Sequence, residues 1–233
     1  MKSWARLVLG DLKYGDITSH KKKPDKIARM HTHIKAIIFD FGGVLLDWDP
    51  RYLYQHYFPN QPQAMEQFLT DTNFYEWNSQ QDKGRSFAEG IAKLSEQFPQ
   101  HKHLIQAYFD HWEDSITGAI NGTVDILQKL KQKSYPLYGL SNWSAETFPR
   151  AKHDYPFFDW FDDILLSGEV KLNKPDPAIF NLLLTRINHS APECLLIDDS
   201  QPNTDSAKKL GFTTIHFSSP EVLHTELQRL DLL

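Results

Sequence analysis

From Ile34 onward, short runs of consecutive apolar residues alternate with stretches whose apolar positions recur every three or four residues. The runs at 36–39, 137–140, 164–166, 195–197 and 213–217 are too short for helices and read as strands. Between them, Val124, Leu127 and Leu130 share a face over 124–131, and a helical period returns at 178–186 and at 204–210, the last closed by Gly211. Several of the strands are apolar at every position. Both of their faces are therefore buried, which predicts a parallel sheet covered by helices, an α/β fold.

The pattern changes between Pro50 and Ile120. Helical spacing runs through 52–58, 63–70, 86–98 and 103–113 with no comparable strand candidate, and Ser86-Phe87-Ala88-Glu89 has the Ser-x-x-Glu form of a capping box. An all-helical insert of about 70 residues after the first strand reads as a second, smaller domain. The division expected is a core of 34–49 and 121–233 with a helical cap at 50–120. Residues 1–33 differ from both. They hold a weakly apolar stretch at 4–9 and the charged segment Lys21-Lys22-Lys23-Pro24-Asp25-Lys26. They lack the apolar core of a signal peptide, and Asp11, Asp16 and Asp25 argue against a transit peptide, so a solvated, poorly ordered extension is expected. Met30 is an alternative start.

Composition narrows the classes. A net charge of −5 over 233 residues provides no field for nucleic acid or an anionic membrane, and no apolar run spans a bilayer. The one cysteine, Cys194, lies in an apolar run and reads as a core thiol; a chain with no possible internal disulfide fits a reducing compartment, the cytoplasm. The His-x-His pairs 31/33 and 101/103 have no Cys or carboxylate partners at ligand spacing, so no transition-metal site is assigned.

Four places have chemical potential. Asp40 follows the run at 36–39 and precedes Phe41-Gly42-Gly43, a carboxylate at a buried strand's tip with glycines beside it. Ser141-Asn142 ends the run at 137–140, where a hydroxyl, an amide and backbone N–H groups can hold a phosphoryl oxygen. Lys174, kept out of a helix by Pro175, fixes a compact positive charge in a loop. Asp198-Asp199 ends the run at 195–197, and two adjacent carboxylates repel unless a hard cation such as Mg²⁺ lies between them. Each alone is ordinary: a turn cap, a helix start, a surface loop, an N-cap pair. Three of the four, however, end strands of one inferred parallel sheet, where such sheets bind ligands.

In this order, Ile38-Phe39-Asp40-Phe41-Gly42-Gly43-Val44-Leu45, Leu140-Ser141-Asn142-Trp143, Ser167 with Lys174-Pro175-Asp176-Pro177, and Ile197-Asp198-Asp199-Ser200 with Asn203, Ala207 and Gly211 resemble the haloacid dehalogenase-like hydrolase superfamily. The resemblance implies a three-layer Rossmann-like core with a helical cap after the first strand. It implies Asp40 as nucleophile, Ser141 and Lys174 as catalytic groups holding the transferring group with Gly43 and Asn142, and Mg²⁺ held by Asp40, the Gly42 carbonyl, Asp198 and Asp199. The activity implied is phosphatase action on a small phosphorylated metabolite, such as a sugar phosphate.

One position departs from that pattern. Phosphatases of the superfamily usually carry a second Asp, a general acid–base, two residues after the nucleophile; here Gly42 stands there, as it does in a subgroup of bacterial sugar-phosphate phosphatases that this chain resembles. General acid–base help is worth about 10²–10⁴-fold. A phosphatase then needs a good leaving group or another acid, with Asp47 and Asp49 nearest in sequence. The alternatives are a metal-independent 2-haloacid dehalogenase, against which Asp198-Asp199 argues, and a non-catalytic binding module, against which the intact Asp40, Ser141, Lys174 and Asp199 argue. Trp48, Trp77, Arg85 and Trp143 are candidate substrate contacts, although packing between cap and core, or a solvated turn for Arg85, accounts for each.

Overall fold

The computed structural model describes residues 34–233; the readings made for 1–33, including Met30 and the His31/His33 pair, lie outside them. In chain order the elements are β1 (Ala36–Phe39), β2 (Leu46–Trp48), α1 (Pro50–Tyr54), α2 (Pro62–Asp71), α3 (Phe74–Asp82), α4 (Phe87–Gln97), α5 (Lys102–Asp110) and β3 (Ile116–Ala119). Next come α6 (Asn121–Gln132), β4 (Leu137–Ser141), α7 (Phe148–Asp154), β5 (Asp163–Leu166), α8 (Ser167–Val170), α9 (Pro177–Ile187), β6 (Cys194–Asp198), α10 (Gln201–Lys209), β7 (Thr213–His216) and α11 (Pro220–Arg229).

The five predicted strands form one sheet in the order β5-β4-β1-β6-β7, parallel at every pairing, with β1 in the middle. Ile38 stands opposite Tyr138 of β4 and Leu196 of β6. Alternate residues serve opposite faces. Ile37, Phe39, Leu195 and Ile197 pack with Leu127 and Leu130 of α6 and Leu223 and Leu227 of α11. Ala36, Ile38, Cys194 and Leu196 pack with Ile179, Phe180 and Leu183 of α9 and Ala207 of α10. Continuous apolar runs thus become a middle layer between two helical ones, a Rossmann-like α/β arrangement.

The strand tips reach further than the apolar runs. β4 ends on Ser141 and β6 on Asp198, so the polar residues that terminate each run still belong to the ladder.

The segment expected to be purely helical is framed by two short strands. β2 and β3 pair antiparallel, Leu46 opposite Ala119 and Asp47 opposite Gly118, and helices α1 to α5 lie between them in sequence. Runs of three and four residues with Asp and Gly inside carry too little alternation to be read as strands. Helix α3 was also not expected. Its buried face consists of Phe74, Trp77, Asn78 and Gln81, and the two amides in that stripe break the apolar period. The capping box forms only in half: Ser86 Oγ accepts from the Glu89 N–H at 3.2 Å, whereas the Glu89 carboxylate pairs with Lys93 at 2.6 Å. At α1, Asp49 is the N-cap, its Oδ1 accepting from the Arg51 N–H at 2.8 Å, with Pro50 at the first helical position.

Candidate active site

Asp40 leaves β1 with its N–H donated to Ile197 O at 2.9 Å, which keeps it in the sheet's register, and Phe41 anchors the turn beyond it. The Phe41 ring is buried, 4.9 Å from that of Phe158 and 6.1 Å from that of Phe148. A Cβ at Gly139 of β4 would stand 2.2 Å from Phe41 Cζ, so the strand has glycine where the ring passes. The turn closes as Leu45 and Leu46 donate to Phe41 O at 2.8 and 2.9 Å and Gly43 donates to Leu46 O at 2.8 Å. Gly43 is left-handed, φ 72°, and a Cβ there would stand 2.2 Å from Asp199 Oδ2. Its role is to let the carboxylate of another strand tip approach; its N–H is already engaged.

Lys174 binds the strand ends together. Its Nζ lies 2.8 Å from Asp40 Oδ2, 2.6 Å from Asp198 Oδ2 and 2.8 Å from Leu140 O, so all three ammonium protons are engaged. The Asn142 side chain pins the lysine backbone in both directions: Lys174 N–H donates to Asn142 Oδ1 at 2.8 Å, and Asn142 Nδ2 donates to Lys174 O at 2.9 Å. Asp198 is fully buried and also accepts from Ser200 N–H at 2.9 Å and from Asn203 Nδ2 at 2.9 Å. It orients Lys174 from behind, while Asp199 is the member of the pair that reaches the cavity.

The electrostatics leave a deficit of positive charge. Burial pushes the Asp40 carboxyl up to about 7; Lys174 works against that rise, and Asp198 and Asp199 add to it. Asp199 is raised as well, by burial and then by Asp198. Burial disfavours the Lys174 ammonium, but Asp198 and Asp40 outweigh it and hold its pKa above the ordinary value. Three carboxylates with one lysine among them are two charges short of neutrality, the condition a divalent cation relieves. The donor set suits a hard ion: Asp40, Asp198 and Asp199 each offer an oxygen, all within 4.8 Å of one another. Gly42 lines the same cavity, and its carbonyl has no protein donor among the described residues.

The cavity over these groups measures about 420 Å³, a size for a small metabolite. It brings together Asp40, Gly42, Gly43, Ser141, Asn142, Lys174 and Asp199, from four separated stretches of chain. Among the described residues, the backbone N–H groups of Gly42 and Asn142 have no protein acceptor, so both are free to meet an oxyanion. Trp48 and Trp143 line the wall as expected of substrate contacts. Trp77 and Arg85 do not: Trp77 is buried with its indole N–H donated to Gly90 O at 3.0 Å, and Arg85 is held by Gln81 Oε1 and Trp77 O. The lining also includes residues that sequence reasoning missed, Asn78 and Asp82 of α3, Tyr108 of α5 and Trp112. Asp82-Lys83-Gly84-Arg85 had been legible only as a turn, and the signal that would have found it is the Phe74/Trp77/Gln81 spacing with amides admitted to the stripe.

The chain matches the haloacid dehalogenase-like hydrolase family over residues 37–217. A sesquiterpene phosphatase from Aspergillus oryzae is 26% identical over 202 residues, 86% of this chain and 98% of that protein. A D-ribitol-5-phosphate phosphatase from Bacteroides thetaiotaomicron is 25% identical over 198 residues, 78% of this chain and 90% of that protein. A wild-type family enzyme from the same bacterium, solved in complex with magnesium and inorganic phosphate, superposes with a TM-score of 0.61 at 25% identity, covering 80% of this chain and 95% of that one. The match takes in all four motifs, and on it the chain belongs to the haloacid dehalogenase-like hydrolase family.

Proposed function

We propose that the chain is a Mg²⁺-dependent phosphatase of a small phosphorylated metabolite, working through an aspartyl-phosphate on Asp40. The observation that carries the proposal is the junction of Asp40, Lys174 and Asp198 beside Asp199 at the carboxyl ends of β1, β4 and β6. The family enzyme solved with magnesium and phosphate and the two phosphatases named above support it. Asp40, the Gly42 carbonyl and Asp199 would hold the ion, with Asp198 behind them. Once bound, it supplies positive charge that lessens the repulsion between a carboxylate and a phosphate dianion. The other groups belong to the chain. Asp40 is aimed by Lys174 and by the Phe41 N–H, which donates to its Oδ1 at 2.7 Å. Ser141 and the N–H groups of Gly42 and Asn142 receive the phosphoryl oxygens, and Lys174 neutralises charge without giving up its partners.

The cavity also bears on the substrate. Lys174 is the only cation lining it among the described residues, and it already serves the phosphoryl end. Arg51, outside the lining, is tied to Glu66 at 2.6 Å and to Asp49 at 3.2 Å. The substrate in this reading has one phosphate and an uncharged remainder, set against Trp48, Tyr108 and Trp112. A metal-independent 2-haloacid dehalogenase would leave the cluster of Asp40, Asp198 and Asp199 without an ion to hold. Helices α1 to α5 act as a cap over the strand tips, and the buried lone Cys194 fits a cytoplasmic setting.

The test is phosphate release from a panel of monophosphates with and without EDTA, beside Asp40→Asn. Release should vanish with either change; activity surviving either one sinks the mechanism.

A further inference from the structure

An alcohol leaving group has to gain a proton, and the usual donor is absent at Gly42. A Cβ at Gly42 would meet nothing within 4 Å, so the space of that donor is open. Besides the metal-site residues, two carboxylates line the cavity, Asp49 and Asp82. Asp49 is the N-cap of α1 and the partner of Arg51, whose Nη1 lies 3.2 Å from both of its oxygens. Both of its oxygens are thus engaged by Arg51, in an ion pair and in the helix cap. Asp47 is not part of the lining: it accepts from Tyr52 Oη at 3.0 Å and from Thr117 Oγ1 at 2.6 Å across the β2–β3 ribbon.

Asp82 is different. It closes α3, and no cation bears on it among the described residues. Asn78 Nδ2 donates to its Oδ2 at 3.0 Å, and the Ser144 N–H, three residues past Ser141, faces the same carboxyl. The main chain is tied down independently: Ser167 Oγ donates to Asp82 O, and Trp143 N–H donates to Ser167 Oγ at 2.9 Å. The carboxyl is thus placed from the Ser141 side of the site by both α3 and the loop after β4. The titratable groups that bear on it are Asp40 and, from α5, Tyr108. The Tyr108 hydroxyl is buried and makes no hydrogen bond of normal geometry, although the indole N–H groups of Trp48 and Trp112 are turned towards it.

Resting on the phosphatase reading, we propose that Asp82 is the general acid–base of this enzyme and that its substrates are therefore unactivated alkyl phosphates. As the bond from Asp40 to phosphorus forms and the phosphorus–oxygen ester bond breaks, Asp82 gives its proton to the departing oxygen, releasing the alcohol. Asp82, now a carboxylate, takes a proton from the water whose oxygen bonds to phosphorus as the Asp40–phosphorus bond breaks. Inorganic phosphate leaves and the acid is restored. Burial of the carboxyl, with Asp40 adding to it, pushes its pKa up to about 8, so the proton is present at neutral pH.

The test uses Asp82→Asn, which keeps the shape and one acceptor oxygen for Asn78 or Ser144 but has no acidic proton. Formation of the phospho-Asp40 intermediate is followed by rapid quench with two substrates: D-ribitol 5-phosphate, whose alkoxide needs a proton, and p-nitrophenyl phosphate, whose phenolate does not. The proposal expects the first to slow by about 10²–10⁴-fold and the second by less than tenfold. In the wild-type enzyme the first rate alone should fall as pH rises through about 8, where Asp82 loses its proton. Equal slowing with both substrates would make Asp82 a tie between α3 and the loop after β4 and would overturn the proposal. The p-nitrophenyl phosphate arm shows whether the variant is folded. A wild-type enzyme that forms no intermediate with either compound overturns the phosphatase reading, and this one with it.

Discussion

Two adjacent glycines divide the work at the nucleophile's turn. Gly42 has open space where a side chain would go, and Gly43 has none. Gly42→Asp should therefore fold with an unchanged melting temperature and, combined with Asp82→Asn, should restore intermediate formation from an alkyl phosphate by at least about tenfold, part of the usual worth of a general acid. No recovery in the double variant would mean that protonation is not what Asp82→Asn removed. Gly43→Ala places a methyl against Asp199 Oδ2 at a left-handed φ, and should weaken Mg²⁺ by about 10–100-fold, read from the Mg²⁺ concentration at half-maximal activity. Much of this scale was legible in the sequence. Asp40, Ser141, Lys174 and Asp199 could be named because each follows or stands beside a recognisable pattern. The partners were not: the Asn142 amide turns to the Lys174 backbone, and Asp198 turns to Lys174 and Asn203 rather than towards the cavity. Such pairings join residues far apart in the chain, and no local spacing records them.

Elements carry their own constraint. The seam between β1 and β4 is set by the Phe41 ring lying over Gly139, and Gly139→Ala should cost about 1–3 kcal/mol by overpacking, measured by urea unfolding. The same change should lower activity beyond its effect on stability, because Phe41 adjoins Asp40. The five strands were legible because burial on both faces leaves a continuous apolar run, a signal that needs no partner to be read. Helix α3 and the β2–β3 ribbon were not. The helix has Asn78 and Gln81 on its buried side, where Gln81 donates to Trp77 O at 2.6 Å and accepts from Arg85. Polar groups satisfied within the interior look, in sequence, like solvent-facing ones. The elements that sequence reading missed include the one that adds a carboxyl to the site.

At the scale of the molecule, the site couples chemistry to stability. A cation that binds only the folded chain stabilises it by about 2.7 kcal/mol at a hundred times its dissociation constant. Mg²⁺ should therefore raise the melting temperature, and Asp199→Asn should abolish most of that rise; a rise that persists would place the ion elsewhere. Bonds that tie the helical segment to the core include Asn173 Nδ2 to Ser79 O at 3.0 Å, Ser167 Oγ to Asp82 O, Phe87 N–H to Glu146 Oε1 at 2.9 Å, and the Arg150–Glu113 pair. Whether those ties loosen during turnover can be followed directly because of Cys194. It is fully buried in the sheet, and burial, with Glu193 adding to it, pushes its thiol up to about 12, so labelling reagents should find no thiolate until the protein unfolds. The sequence has no other cysteine. One cysteine placed at exposed Tyr75 of α3 and another at exposed Val222 of α11 would then be the only two sites to take a fluorophore, and the native chain becomes its own silent background for a spectroscopic ruler between those two helices, the second of which packs on the sheet.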